Sequence, residues 1–215
     1  MEQLDRNTFS SSSNCCGTHL ATEMSRQLFI DALKSSTPTH FVDDYFYDRI
    51  PFVFQGDRTK FVDWKRRLGR LIGVDPACIT LVGSGATGFS MNPNKSFRQF
   101  DEGSDIDVAI ISTHYFTLGW HYLRMNGSRR LRLDSRTKNA WDEHVSKYIY
   151  FGTLATDKLL GVLPFGKEWL RAGTEMANLE PTFGRSVKFR IYMDYDALRS
   201  YQVSGVQTLR NNFSE

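Results

Sequence analysis

The stretch from Ile79 to Ile111 constrains this chain more than any other, because its residue order fits two strands joined through a glycine turn. Ile79-Thr80-Leu81-Val82 is short, apolar and rich in β-branched residues, which suits a buried strand. Gly83-Ser84-Gly85 follows at once, where the chain can turn tightly and expose backbone N–H groups. Ala86 to Ser90 is placed to open a helix beyond that turn. Ser104 to Ile111, SDIDVAII, is a second strand that carries acids at its start. Asp105 and Asp107 are two residues apart, so both carboxylates leave one face while Ile106 and Val108 enter the core.

Two carboxylates on one face repel each other unless a cation lies between them. Hard oxygen donors of this kind suit Mg²⁺ or Mn²⁺. Two such ions roughly 3.5–4 Å apart activate an attacking oxygen and stabilise a leaving pyrophosphate. A glycine turn that leads into a helix offers N–H groups and partial positive charge to phosphates. Together the turn and the acids imply nucleotidyl transfer, with a nucleoside triphosphate as partner.

Gly83-Ser84, a spacer and then Ser104-Asp105-Ile106-Asp107 on an apolar strand resemble the signature of the polymerase-β-like nucleotidyltransferase superfamily. About thirty residues carry the resemblance. It implies that the Gly83-Ser84-Gly85 turn, with Ser104, binds the nucleotide phosphates and that Asp105 and Asp107 ligate the metal. It also implies a lysine on a later helix that reaches the triphosphate, for which Lys158 is the candidate beside an ordinary exposed helical role. The superfamily's third carboxylate falls in the middle of a later strand. This chain departs from that pattern with Lys188 and Arg190, leaving Asp194 at the strand's end as the substitute catalytic acid and Asp196 as a weaker one. Members of the superfamily modify proteins, nucleic-acid 3′ ends or nucleotides, and some act in bacterial toxin–antitoxin or antiviral-defence settings. The alternative is a catalytically degenerate module of the same fold that holds a nucleotide or a partner protein.

At 215 residues the chain allows one sizeable core, read as a loose tail over 1–17 and a single α/β domain over 18–215. That domain is expected to be a small mixed sheet flanked by helices, with a helical insertion over about 139–180. The net charge of +3 is too mild for a strong nucleic-acid footprint. Cys15, Cys16 and Cys78 form neither a disulfide framework nor a spaced metal quartet, which points to a reducing cytoplasm. No apolar run approaches the roughly 18 residues of a membrane span, so no membrane partner is expected.

Thr18 to about Ser35 reads as a helix with Leu20, Met24, Leu28 and Ala32 inward. Phe41 to Phe54 is dense in aromatics interleaved with acids, as in a core-covering segment or a stacking surface. Asp57 or Thr59 caps a helix to about Ile72 with Phe61, Trp64 and Leu68 inward, and Gly73 ends it. In the loop from Met91 to Glu102, Lys95 and Arg98 either reach the triphosphate or stay solvated. Ser112 to Lys138 is less regular and gathers Arg124, Arg129, Arg130, Arg132, Arg136 and Lys138, a patch that either binds a polyanion or keeps the surface soluble. Helical periodicity runs over about Asn139 to Leu163 and Gly166 to Asn178, the latter with Trp169, Leu170, Ala172 and Met176 inward. Val187 to Met193 alternates as a third strand, and about Asp196 to Phe213 is a closing helix.

Overall fold

Mostly buried apolar runs build the sheet. In the computed structural model, which describes residues 25–155 and 159–212, four strands lie together in a mixed sheet flanked by helices. They are β1 (Ile79–Val82), β2 (Ile106–Ile111), β3 (Thr153–Ala155) and β4 (Val187–Tyr192), in the order β1-β2-β4-β3. β1 runs antiparallel to β2, β4 parallel to β2, and β3 antiparallel to β4. This is the α/β arrangement expected from the sequence.

The register decides which side chains meet. Asp107 stands opposite Val82 on one side and Lys188 on the other, while Ala109 stands between Thr80 and Arg190. Residues paired across strands share a face, so Asp107, Lys188 and Arg190 point one way. Leu81, Val108 and Phe189 point the other way, into the core.

The helices in chain order are α1 (Arg26–Ser35), α2 (Pro38–Val42), α3 (Arg58–Ile72), α4 (Ser84–Thr87), α5 (Thr113–Met125), α6 (Ser135–Glu143), α7 (Gly166–Met176) and α8 (Tyr195–Asn211). α5 and α7 cover the apolar face. Gly119 of α5 approaches Leu154 so closely that a Cβ there would lie 2.8 Å from its Cδ1, and Trp169 of α7 meets Phe189 edge-on at 5.5 Å. α3 joins this layer through the buried Trp64, whose Nε1 donates to Thr182 Oγ1 at 3.0 Å. On the other face α8 covers the far end of β4, with Tyr201 against Tyr192 at 5.8 Å between ring centres. The aromatics of 41–54 are core: Phe41, Phe46 and Phe54 are buried in α2, the π-turn Asp43–Tyr47 and the short turn Phe52–Phe54.

Several expectations are corrected. The buried stripe of α1 is Phe29 and Leu33, one residue out of phase with the expected one, and Leu28 is exposed. Phe29 wins because it enters an aromatic cluster of Phe41, Tyr45, Phe89 and Phe97. Residues 113–125 are helical, not irregular, capped by Ser112, whose Oγ accepts from Tyr115 N at 3.2 Å. Their low helix propensity is overridden by burial of Phe116 and Leu123. The helix beyond the glycine turn begins at Ser84 and ends at Gly88 (φ +87°). In the stretch read as a helical insertion, helix is confined to α6, a π-turn at His144–Tyr148, the short turn Leu160–Val162 and α7. Between them β3 forms the outer strand beside β4. Leu170 faces solvent, while Trp169, Ala172 and Met176 lie inside. The 1–17 tail and Lys158 lie outside the described residues. Among the described residues no helix is long and apolar enough to cross a membrane.

Candidate functional site

The glycine turn and the acids converge. Gly83 has φ +66° and ψ −156°, and a Cβ there would lie 2.7 Å from Asp107 Oδ2. Only glycine permits both the backbone conformation and that approach. Thr87 fixes the turn from inside, its Oγ1 donating to Phe89 O at 2.8 Å. Gly85 is buried against Ile106 and Phe100, and Ser84 lines the surface of the turn. Asp105 and Asp107 are both half-buried and alternate with buried Ser104, Ile106 and Val108, so their carboxylates share a face as expected.

Two clefts meet at Gly83 and Asp107. The first, about 420 Å³, is lined by Ser84, Ser90, Lys95, Arg98, Ser104 and Asp105 as well as the shared pair. The second, about 260 Å³, continues past Asp107 to Lys188, Arg190, Tyr192, Tyr201 and Gln202. Lys95 and Arg98, read from the sequence as loop charges of two possible uses, therefore stand beside the acids. Their loop is anchored from below: Phe97 is buried against Phe29, and Arg26 of α1 donates to Ser96 O at 3.0 Å.

Ser104 closes the turn before β2. Its hydroxyl donates to Asp101 Oδ1 at 2.9 Å and accepts from Asp101 N at 3.0 Å. That hydrogen bond holds the Asp101 carboxyl below its ordinary pKa. Arg185 completes the support by donating to the carbonyls of Asp101 and Ser104 and lying 4.4 Å over the Phe100 ring. Sequence reading missed Arg185, because nothing local marks a residue 80 positions away as the clamp of this segment.

Asp194 is not part of this constellation. It caps α8, its Oδ1 accepting from Ala197 N at 2.8 Å. It lies six residues beyond Lys188, the level of Asp107, or about 20 Å at roughly 3.3 Å per residue. An acid at a strand end followed by a helix is an N-cap before it is a ligand. In its place the register puts Lys188 beside Asp107, and the Lys188 ammonium donates to Asp105 Oδ2.

That substitution bears on the metal. Among the described residues no three His, Cys, Asp or Glu side chains gather as a ligand group. Two carboxylates suit one Mg²⁺, an ion commonly held by one or two carboxylates with phosphate oxygens and water completing its octahedron. They do not suit a pair of ions, which need a further bridging acid where Lys188 stands.

The second cleft gathers residues around Arg190 that the sequence did not assign to a site. Arg190 donates to the Tyr201 hydroxyl and has the rings of Tyr201 and Tyr148 at 4.9 and 5.8 Å. Gln202 Nε2 donates to the Tyr192 hydroxyl at 3.3 Å, and burial pushes the phenol of Tyr192 well above its ordinary pKa. The available signal was Tyr201, an inward position of the closing helix bearing a hydroxyl that a core does not need. The basic cluster of 124–138 is partly committed elsewhere: Arg130 pairs with Asp142, and Arg124 lies 4.8 Å over Trp120.

Compared with known proteins, the chain matches no family model, no curated protein and no solved structure.

Proposed function

We propose that the chain is a nucleotidyltransferase of polymerase-β-like type, working with one divalent cation on Asp105 and Asp107. The observation that carries this reading is the contact of the Gly83 turn with Asp107 at the junction of two clefts, with Asp105 on the same face. A triphosphate in the first cleft meets Ser84, Lys95 and Arg98, whose cations offset the charge of a departing pyrophosphate. The bound cation, Mg²⁺ or Mn²⁺, would supply charge neutralisation at the phosphates. An acceptor entering through the second cleft brings its hydroxyl to the α-phosphorus, and the chain contributes mainly positioning. The acceptor class, whether a protein, a nucleic-acid end or a nucleotide, is read from where the label lands.

The test is incubation of the purified chain with each α-³²P-labelled NTP and dNTP in Mg²⁺ or Mn²⁺, beside the Asp105→Ala/Asp107→Ala variant. Label transferred by the wild type alone supports the reading. No transfer to protein, oligonucleotide or nucleotide under any of these conditions refutes it.

The Lys188–Asp105 ion pair favours a second reading, a degenerate module that binds a nucleotide without catalysis. There the ammonium stands in for the metal charge. Such a module holds NTP equally well in EDTA and in Mg²⁺, whereas the enzyme's affinity falls in EDTA.

A further inference from the structure

The second cleft holds an arginine that no carboxylate among the described residues pairs with directly. Arg190 is partly buried on β4, and its contacts are with Tyr201, Tyr148 and Tyr192. Among the described residues no carboxylate forms an ion pair with it. Burial raises the pKa of Tyr148 and Tyr192, so near neutrality these phenols are neutral and give Arg190 hydrogen bonds and ring faces, not a counter-charge. Asp107 also lines the cleft, opposite Lys188 and two register positions before Arg190, which stands opposite Ala109. Asp105 is taken by Lys188. A guanidinium removed from water costs free energy unless an anion meets it, and this one faces an open cavity.

We infer that this cleft binds a small phosphomonoester, with its phosphate on Arg190 and the rest of the molecule against Tyr201 and Gln202. The guanidinium fork fits a phosphate through two parallel hydrogen bonds, which a lysine cannot offer. The volume of about 260 Å³ lies just below the roughly 300–1,000 Å³ of ligand pockets, the size of a sugar phosphate or mononucleotide. The Tyr201 ring beside Arg190 supplies flat apolar surface, while Gln202 supplies a polar edge. Calling the site the acceptor subsite rests on the transfer reading above; the binding itself does not. As acceptor, a hydroxyl of the bound molecule attacks the α-phosphorus and its proton leaves to solvent. The bond from the α-phosphorus to the bridging oxygen breaks, and pyrophosphate departs.

The test is calorimetric titration of the full chain with ribose 5-phosphate and with ribose, using wild type, Arg190→Gln, Arg190→Lys and Lys95→Gln/Arg98→Gln. Ribose 5-phosphate should bind and ribose should not. Affinity should fall about ten-fold or more in Arg190→Gln and part of the way in Arg190→Lys, yet change less than about two-fold in Lys95→Gln/Arg98→Gln. Hydrogen exchange on the wild type, which needs no variant to fold, should slow at 187–192 and 199–203 on adding ribose 5-phosphate. Equal binding of ribose, dependence on Lys95 and Arg98 instead of Arg190, or exchange protection confined to 90–98 would overturn the inference. So would a ten-fold preference for a 5′-phosphorylated oligonucleotide, which would make the ligand a nucleic-acid end. Arg190-dependent binding without any label transfer would leave this site standing and remove the transfer reading; transfer to an acceptor that ignores Arg190 would do the reverse.

Discussion

Replacing Gly83 with alanine tests whether the turn and Asp107 form one unit. Its φ of +66° with ψ of −156° lies in a region that is essentially glycine's alone, and holding alanine there costs about 1–3 kcal/mol. The added Cβ also meets Asp107 Oδ2 at 2.7 Å, which forces the carboxylate off its rotamer for about 0.5–1.5 kcal/mol. The sum, about 1.5–4.5 kcal/mol, is a large share of the roughly 5–15 kcal/mol that holds a domain folded. At about 2–4 °C per kcal/mol for a chain of this size, the melting temperature falls by about 3–18 °C. Gly85→Ala is the control two residues away: its Cβ would sit 3.6 Å from Ile106 and 3.7 Å from Phe100, in ordinary contact. Thermal denaturation of the two variants beside the wild type gives the comparison, and Mn²⁺ titration of each reports whether Asp107 has moved. The reasoning fails if Gly83→Ala melts no lower than Gly85→Ala, or if it melts lower but binds Mn²⁺ as the wild type does.

Asp194→Ala should cost about 0.5–2 kcal/mol by removing the cap of α8, seen as a lower urea midpoint, and leave metal-dependent nucleotide binding intact. Lys188→Gln should release Asp105 and raise Mn²⁺ affinity several-fold by electron paramagnetic resonance titration. Because the ion pair is about two-fifths exposed on each side, the same change should alter stability by under about 1 kcal/mol. Thr182→Val should destabilise by about 1–3 kcal/mol in urea denaturation, because it leaves the buried Trp64 Nε1 without its acceptor while keeping the side-chain volume.

Local chemistry made the centre of the fold legible and tertiary choice hid the rest. Ile79–Val82 and Ile106–Ile111 could be read because they are short, nearly continuous apolar runs rich in strand-favouring residues, and Val187–Tyr192 because its apolar and polar residues alternate. α3 could be read because Asp57 caps it and Gly73, at φ +68°, ends it. β3 could not, since three residues between Phe151-Gly152 and Thr156-Asp157 carry no period of their own and become a strand by pairing with β4. The one-residue error in α1 has the same origin: Leu28 and Phe29 are both apolar, and the choice between them belongs to Phe41, Phe89 and Phe97, far along the chain. At the site, Asp105 and Asp107 were legible from parity alone. Arg185, Tyr148 and Gln202 were not, because only tertiary packing brings Arg185 to the turn before β2 and Tyr148 and Gln202 to Arg190 and Tyr192.

Register also explains why the lysine and arginine of β4 deserve as much weight as the acids of β2. A parallel partner strand must place some residue beside Asp107, and a carboxylate there would raise the charge repulsion that the strand already carries between Asp105 and Asp107. Such a residue is tolerable where cations are bound tightly enough to offset three acids. Lys188 removes that requirement by supplying a covalently attached cation, which lets the sheet stay ordered without bound metal. The consequence is a site poised differently from a three-acid one. Four side-chain cations, Lys95, Arg98, Lys188 and Arg190, line two joined clefts against Asp105 and Asp107, with Asp101 3.7 Å from Arg98 as a third acid, so the balance at the clefts is slightly positive and favours anions. On that balance the order of binding should be anion first and divalent cation second. Preloading with ribose 5-phosphate or NTP should raise Mn²⁺ affinity, and Mn²⁺ should raise theirs by the same factor.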